Sequence, residues 1–321
     1  LPYYVSKKIK RSALFLADQN FYQQNGVELI LCNPATRVDP QNRQVHLAND
    51  DMLEYDNLLI ATGSSPTALG IPGEDLAGVF TLKTVDDADK LVKAAAGMED
   101  IVIIGGGLIG LQAANALYAA GRNIRIVIGS RQPLSRNVDP SCAENVCQGI
   151  RECGMSILFE THAVSIGKAK NKLSVGLSSN NTLEADAVII GKGVSANVQL
   201  VAESGIEVNQ GILVDETMRT NVPNVFAAGD VAEGLNLITG QRQLIATWPN
   251  ACSQGRTAGI NMAGGMDKNE GLSSNICGFL GSAVASVGIT NPENDDFEEV
   301  VADEPAKGRY RKLVWNKNNE L

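Results

Sequence analysis

The stretch Ile101-Val102-Ile103-Ile104, running straight into Gly105-Gly106-Gly107-Leu108-Ile109-Gly110, constrains this chain more than any other. A short uninterrupted apolar run marks a parallel strand buried on both faces. The Ala- and Leu-rich stretch from Leu108 to Ala120 predicts a helix that Gly121 stops, and Ile124 to Ile128 predicts a second buried strand. Gly105, Gly107 and Gly110 therefore fall as G-x-G-x-x-G inside a strand-turn-helix-strand unit, the context that gives this spacing its meaning. The first glycine allows a tight turn, the second lets the main chain approach a pyrophosphate, and the third lets helix and strand pack closely. The free N–H groups of the first helical turn, from Leu108 and Ile109 onward, and the positive end of the helix dipole then meet the phosphates. The unit predicts a bound dinucleotide.

Which dinucleotide is left open. A site selective for NAD ends its second strand in Asp or Glu, which accepts hydrogen bonds from the adenosine ribose. Here that place is Ile128, followed by Gly129-Ser130-Arg131, with Arg136 nearby. Without a carboxylate to repel a 2′-phosphate, both NADH and NADPH fit, with the balance toward NADH. Ser130 and Arg131 are the candidate contacts at this end.

Around this unit the chain reads as one domain over residues 84–198. Thr84 is a plausible cap for its first helix, and Asp139-Pro140 reads as the N-cap and first position of a helix reaching about Cys153. Met155 to Phe159 reads as a strand, Lys172 to Leu177 alternates as a half-exposed antiparallel strand does, and Ala187 to Ile190 returns to the buried kind. Two segments flank the domain. Before it, Tyr55 to Ile60 is an apolar strand that runs into Ala61-Thr62-Gly63; after it, Asn224 to Ala228 is a strand ending in Gly229-Asp230. A carboxylate just past a buried strand can hold a sugar or ribityl hydroxyl while neighbouring N–H groups meet phosphate.

Composition excludes several classes. A net charge of −9 with no clustered basic face argues against a nucleic-acid partner. No apolar stretch reaches the roughly 18 residues of a membrane span, so the reading is a soluble, cytoplasmic protein. The run Lys7-Lys8-Ile9-Lys10-Arg11 reads as a solvated helix start. Cys32, Cys142, Cys147, Cys153, Cys252 and Cys277 show no metal-ligand spacing, and are read as buried or half-buried thiols, with no metal site. His46 and His162, each read inside a strand-like stretch, have no neighbours suited to a general base, so no acid or base is assigned.

These residues resemble the pyridine nucleotide-disulfide oxidoreductase superfamily, in its branch of NADH oxidases, coenzyme A-disulfide reductases, rubredoxin reductases and the nitrite reductase flavoprotein. The likeness rests on Ala61-Thr62-Gly63, the glycines 105, 107 and 110, Gly193-Val194-Ser195-Ala196-Asn197, Gly229-Asp230, and Thr247-Trp248-Pro249-Asn250-Ala251 with Gln254-Gly255. It implies an α/β fold of two Rossmann-like domains, the NAD(P) domain inserted in the FAD domain. The expected boundaries are residues 1–83 and 199–274 for FAD, 84–198 for NAD(P)H, and 275–321 for the start of a C-terminal α+β dimerisation domain, with a homodimer expected of the full-length protein. By the same likeness Asp230 binds the ribityl chain of FAD, and the segment holding Trp248 and Pro249 opens a helix near the flavin pyrimidine, where its positive end stabilises charge on the reduced ring.

Departures narrow the branch. Disulfide reductases carry an aromatic residue and a Glu where this chain has Leu108 and Gln112, which tilts the reading away from dithiol chemistry. The resemblance implies that the first strand and glycine loop of the FAD fold precede Leu1, since residues 1 to 54 supply neither, and that the C-terminal domain is cut short, with Tyr310 to Val314 beginning a strand and Asn318-Asn319 a turn. Three functions follow: an NAD(P)H-dependent flavin reductase passing electrons to a redox protein or other acceptor; a coenzyme A-disulfide reductase or NADH oxidase using a cysteine upstream of Leu1; and a non-enzymatic flavoprotein with a binding or signalling role.

Overall fold

The computed structural model describes residues 1–236, 238–292, 296–304 and 308–316. The chain forms two compact units, one from Leu1–Leu14, Pro66–Gly193 and Asn275–Leu321, the other from Phe15–Ser65 and Val194–Ser274.

The first unit is built on a five-stranded, wholly parallel sheet in the spatial order Val79–Phe80, Ala187–Ile190, Asp100–Ile104, Asn123–Val127, Ser156–Leu158. The two-residue period of a strand sorts its apolar run to two faces. Ile101, Ile103 and Ile126 pack with Leu111 and Leu117 of the Leu108–Ala119 helix, and with Ile150 of the Pro140–Glu152 helix. Val102, Ile104 and Val127 pack instead with Ile166, Leu173, Val175 and Leu177. Those last four belong to an antiparallel meander of Ala163–Ala169, Lys172–Leu177 and Thr182–Ala185. Burial on both faces is why these strands read as unbroken apolar runs, while Lys172–Leu177, covered on one face, alternates.

Local chemistry sets the helix ends. Thr84 Oγ1 accepts from Asp87 N at 3.1 Å while the Asp87 carboxylate accepts from Thr84 N at 3.0 Å, a reciprocal capping box opening the Val85–Ala95 helix. Asp139 caps the Pro140–Glu152 helix through Cys142 N at 2.8 Å, with Pro140 at its first position. Gly121, left-handed at φ 78°, lets Arg122 N reach back to the Leu117 carbonyl and closes the Leu108–Ala119 helix. Toward the chain end, Ser274–Phe279 pairs with Ser282–Val287, and Cys277 and Phe279 join the helix-side core. A longer hairpin pairs Phe297–Glu304 with Arg309–Asn316. It is pinned to Asp139 by the Tyr310 hydroxyl and by Lys312 Nζ at 3.4 Å.

In the second unit, Leu58–Ile60 and Val225–Ala227 run parallel, Leu58 opposite Val225 and Ile60 opposite Ala227. A three-stranded antiparallel sheet, Ala35–Asp39 with Gln44–Leu47 and Met52–Glu54, and a mixed one, in which Ala232–Leu235 pairs parallel with Ile212–Leu213 and antiparallel with Arg242–Leu244, complete it with the Trp248–Met262 helix. Ile60, Val225, Phe226, Ile212 and Met218 form its core. Glu233, 2% exposed, accepts from Asn209 Nδ2 and from the N–H groups of Gln210 and Gly211, so both oxygens of its buried carboxyl group are hydrogen-bonded. Val27, Leu29, Ile30 and Leu31 are 40–66% exposed and lie in no strand.

Several expectations are corrected. The basic run 7–11 starts no α-helix: Lys7 is left-handed at φ 60° and only a short 3-10 turn, Arg11–Leu14, follows. Cys32 and Cys252 are exposed rather than buried. His46 lies in a strand, but His162 sits between two. The strand holding Tyr310 is the returning limb of a hairpin, paired with Phe297–Glu304, rather than its first limb; the Asn318-Asn319 turn lies outside the described residues.

Candidate nucleotide sites

In the first unit the glycine loop follows the Asp100–Ile104 strand, and each glycine is required for a different reason. Gly105 has φ 119°, and a Cβ there would stand 2.3 Å from the Gly191 carbonyl oxygen. At Gly110 a Cβ would meet the Gly105 carbonyl oxygen at 2.1 Å, so helix and loop touch backbone to backbone. Gly107 is the reverse case: nothing lies within 4 Å of where its Cβ would be. It is the N-cap of Leu108–Ala119 and has no side-chain cap, so the N–H groups of Leu108 and Ile109 open the helix beside a cleared surface. The loop carries no charged group, and Ile109 is 39% exposed where Gly110 is buried. Gly193, at φ 93°, ends the unit with its carbonyl accepting from Thr67 N at 3.0 Å.

Ser130 and Arg131 follow the neighbouring Asn123–Val127 strand, as their place in the sequence predicts. Their partners were not legible there: Ser130 Oγ donates to the Gln132 carbonyl at 2.7 Å, and Arg131 Nε to Glu160 Oε1 at 3.1 Å. Gln112, where a Glu was anticipated by resemblance, turns its amide to Cys277 Sγ at 3.5 Å, and burial pushes that thiol's pKa up.

In the second unit the parallel pairing sets Ala61-Thr62-Gly63 and Gly229-Asp230 side by side beyond the carboxyl ends of two strands, the place where open α/β sheets bind ligands. Ser64 Oγ donates to Asp230 Oδ2 at 2.6 Å across 166 residues of sequence. Gly229, left-handed at φ 81°, gives its N–H to Gln254 Oε1 at 2.8 Å and so ties the turn to the Trp248–Met262 helix. Thr62 is fixed by Asn197: the threonine hydroxyl donates to the Asn197 carbonyl at 2.7 Å and the asparagine amide returns to the Thr62 carbonyl at 2.9 Å. Trp248, 65% exposed, and Pro249 occupy the first turn of that helix. Thr247, its N-cap, makes no capping bond, and its buried hydroxyl has no partner, nor has that of Tyr55. Ser64 had no place in the sequence reading, and Asn197 and Gln254 entered it only through the family likeness with no role given, because each acts through a partner remote in the chain.

Residues 4–255 match the family described as pyridine nucleotide-disulphide oxidoreductase. The chain belongs to that family. Among its relatives the chain is similar to the NADH-dependent phenylglyoxylate dehydrogenase subunit epsilon of Aromatoleum evansii, 34% identical over 100% of this chain and 76% of the relative. It is also similar to the nitrite reductase [NAD(P)H] of Bacillus subtilis, 30% identical over 94% of this chain but only 37% of that much longer relative. In structure it is similar to a ferredoxin reductase of Rhodopseudomonas palustris, with a TM-score of 0.90 at 25% identity, over 98% of this chain and 78% of that one.

The family couples FAD to a pyridine nucleotide, and the residues present fit both groups. The cleared surface at Gly107 is a cradle that a Cβ would fill. The uncapped, unacidic helix start at Thr247 and its unpartnered hydroxyl are what an anionic or hydrogen-bonding ligand satisfies. Among the described residues no cluster of His, Cys, Asp and Glu could hold a metal, and no helix is long and apolar enough to cross a membrane.

Proposed function

We propose that this chain is the nucleotide-handling part of an FAD-dependent NAD(P)H oxidoreductase that passes electrons to a redox protein. Together the two cofactors supply hydride transfer from nicotinamide to flavin and an outlet for the electrons. The chain's share is to bind, orient and exclude water.

Asp230, held in place by Ser64, accepts hydroxyls of the ribityl chain, and the N–H groups around Thr62-Gly63 and Gly229 line the path of FAD. The first turn of Trp248–Met262 offers its positive end to the flavin ring. Gly105, Gly107, Leu108, Ile109 and Gly110 cradle the pyrophosphate of NAD(P)H, and Gly193 gives the backbone a turn no side chain would favour. No side chain is given an acid or base role. In domain terms, residues 1–83 and 199–274 serve FAD, 84–198 serve NAD(P)H, and 275–321 open a dimerisation domain of a cytoplasmic homodimer. Support for a protein acceptor comes from the relatives, one named as a subunit of an NADH-dependent dehydrogenase and another as a ferredoxin reductase. Support against dithiol chemistry comes from the neutral Gln112, whose amide is already turned to Cys277.

The observation that carries this reading is the Asp230 carboxylate, fixed beside Thr62-Gly63 by two parallel strands. Its test is anaerobic titration of the FAD-loaded protein with NADH and NADPH, followed by addition of ferredoxin, rubredoxin, coenzyme A disulfide or dioxygen. Flavin bleaching by a pyridine nucleotide and rapid reoxidation by an iron–sulfur or rubredoxin acceptor support it. Reoxidation by the disulfide alone would move the protein to the thiol branch, and a flavin that no nucleotide bleaches would refute the oxidoreductase.

A further inference from the structure

In a nucleotide-binding βαβ unit the residue just past the second strand meets the adenosine ribose, and an acidic side chain there selects NAD. Here that place is Ile128, 3% exposed and with no polar atom in its side chain, and the next residue, Gly129, brings none either, the His162 ring lying 2.2 Å from where a Cβ would stand. A carboxylate nonetheless reaches the same edge from the next strand over. Glu160 lies just beyond the Ser156–Leu158 strand, in left-handed backbone at φ 47°, a conformation unfavourable for a residue with a Cβ. Its N–H donates to the Ser130 carbonyl at 3.2 Å and its Oε1 accepts from Arg131 Nε at 3.1 Å, so backbone and side chain both lock onto the turn after the second strand. That turn is joined to the phosphate loop, since Leu134 N donates to the Gly106 carbonyl at 2.8 Å.

We infer that Glu160 is the residue that selects the pyridine nucleotide, accepting the adenosine ribose hydroxyls of NADH, and that Arg131 orients it rather than receiving a 2′-phosphate. Of Ser130, Arg131 and Arg136, the two that directly follow the strand are already engaged. Arg131 is held by Glu160, and the Ser130 hydroxyl is turned to the Gln132 carbonyl. A 2′-phosphate at this edge brings about two negative charges beside a carboxylate. It also competes with that carboxylate for its only described cation. A ribose hydroxyl, by contrast, finds a charged acceptor already oriented. The inference rests on the dinucleotide reading above.

Calorimetric titration of the full chain with NAD+ and NADP+ tests it without any turnover. Glu160 and Arg131 have side chains 64% and 88% exposed, so substitutions there leave the fold intact, which a thermal melt verifies. The wild-type protein is expected to bind NAD+ about tenfold or more tighter than NADP+, the size of one charge-assisted hydrogen bond. Glu160→Gln should remove most of that ratio, chiefly by weakening NAD+, and Arg131→Ala should leave NADP+ binding no weaker. An unchanged ratio in Glu160→Gln, equal affinities in the wild type, or a selective loss of NADP+ binding in Arg131→Ala overturns the inference alone. Failure of the wild-type protein to bind either nucleotide overturns the dinucleotide reading and this inference with it.

Discussion

At the residue scale the glycines of the phosphate loop separate stability from binding. Gly110→Ala forces a Cβ against the Gly105 carbonyl, a backbone atom that cannot move aside cheaply, and overpacking of this kind costs about 1–3 kcal/mol. Gly107→Val projects into open space from extended backbone at φ −80°, ψ −177°, and should cost only about 0.5–1 kcal/mol, the loss from an unfavourable N-cap residue, while weakening NAD+. Denaturant melts paired with NAD+ titration of both variants check this; equal destabilisation by the two would refute the assignment. The tight turn at Gly105 and the close packing at Gly110 were legible in the sequence because they follow from spacing within one βαβ unit. Glu160 was not, because it reaches the site from a different strand, and neither was the approach of the His162 ring to Gly129, because the two lie far apart in sequence. Nothing about Asp230 in the sequence shows that Ser64 holds it.

At the element scale, helix boundaries were the most readable feature, since caps are local. The predicted caps at Thr84 and Asp139 and the stop at Gly121 all stand where the sequence puts them. Thr84→Ala removes one half of the capping box and should destabilise by about 1 kcal/mol in a denaturant melt. Asp87 forms the other half. Burial works to raise its pKa, but the N–H groups of Lys83 and Thr84 and the Thr81 hydroxyl outweigh it and hold the carboxyl below the usual carboxylate range. A folded-state pKa below the unfolded one gives stability that is present above about pH 4, the unfolded value, and lost as pH falls through the folded one. The stability gap between wild type and Asp87→Asn should therefore shrink as the pH is lowered below about 4; a gap that stays constant into acid would contradict the role given to this carboxylate. Less local features were misread. The basic run 7–11 looked like a helix start, yet a left-handed Lys7 and a bend intervene, and the hairpin limb holding Tyr310 could not be ordered without its partner strand.

At the scale of the whole molecule, two units are each assembled from segments far apart in the chain, with the glycine loop in one and Asp230 in the other. The interruption of one fold by another was visible because the strand signals at Tyr55 to Ile60 and Asn224 to Ala228 are incomplete alone. Their parallel pairing was not visible, since a two-stranded contact between segments separated by a whole domain leaves no periodic trace. The two binding functions are expected to come apart by unit, flavin depending on Asp230 and pyridine nucleotide on the surface cleared at Gly107. Titration of FAD and of NAD+ into the wild-type protein, Asp230→Ala and Gly107→Val measures this directly. The prediction is that Asp230→Ala loses FAD affinity and keeps NAD+, while Gly107→Val does the reverse. Retention of FAD by Asp230→Ala, or loss of both nucleotides together in either folded variant, would contradict it.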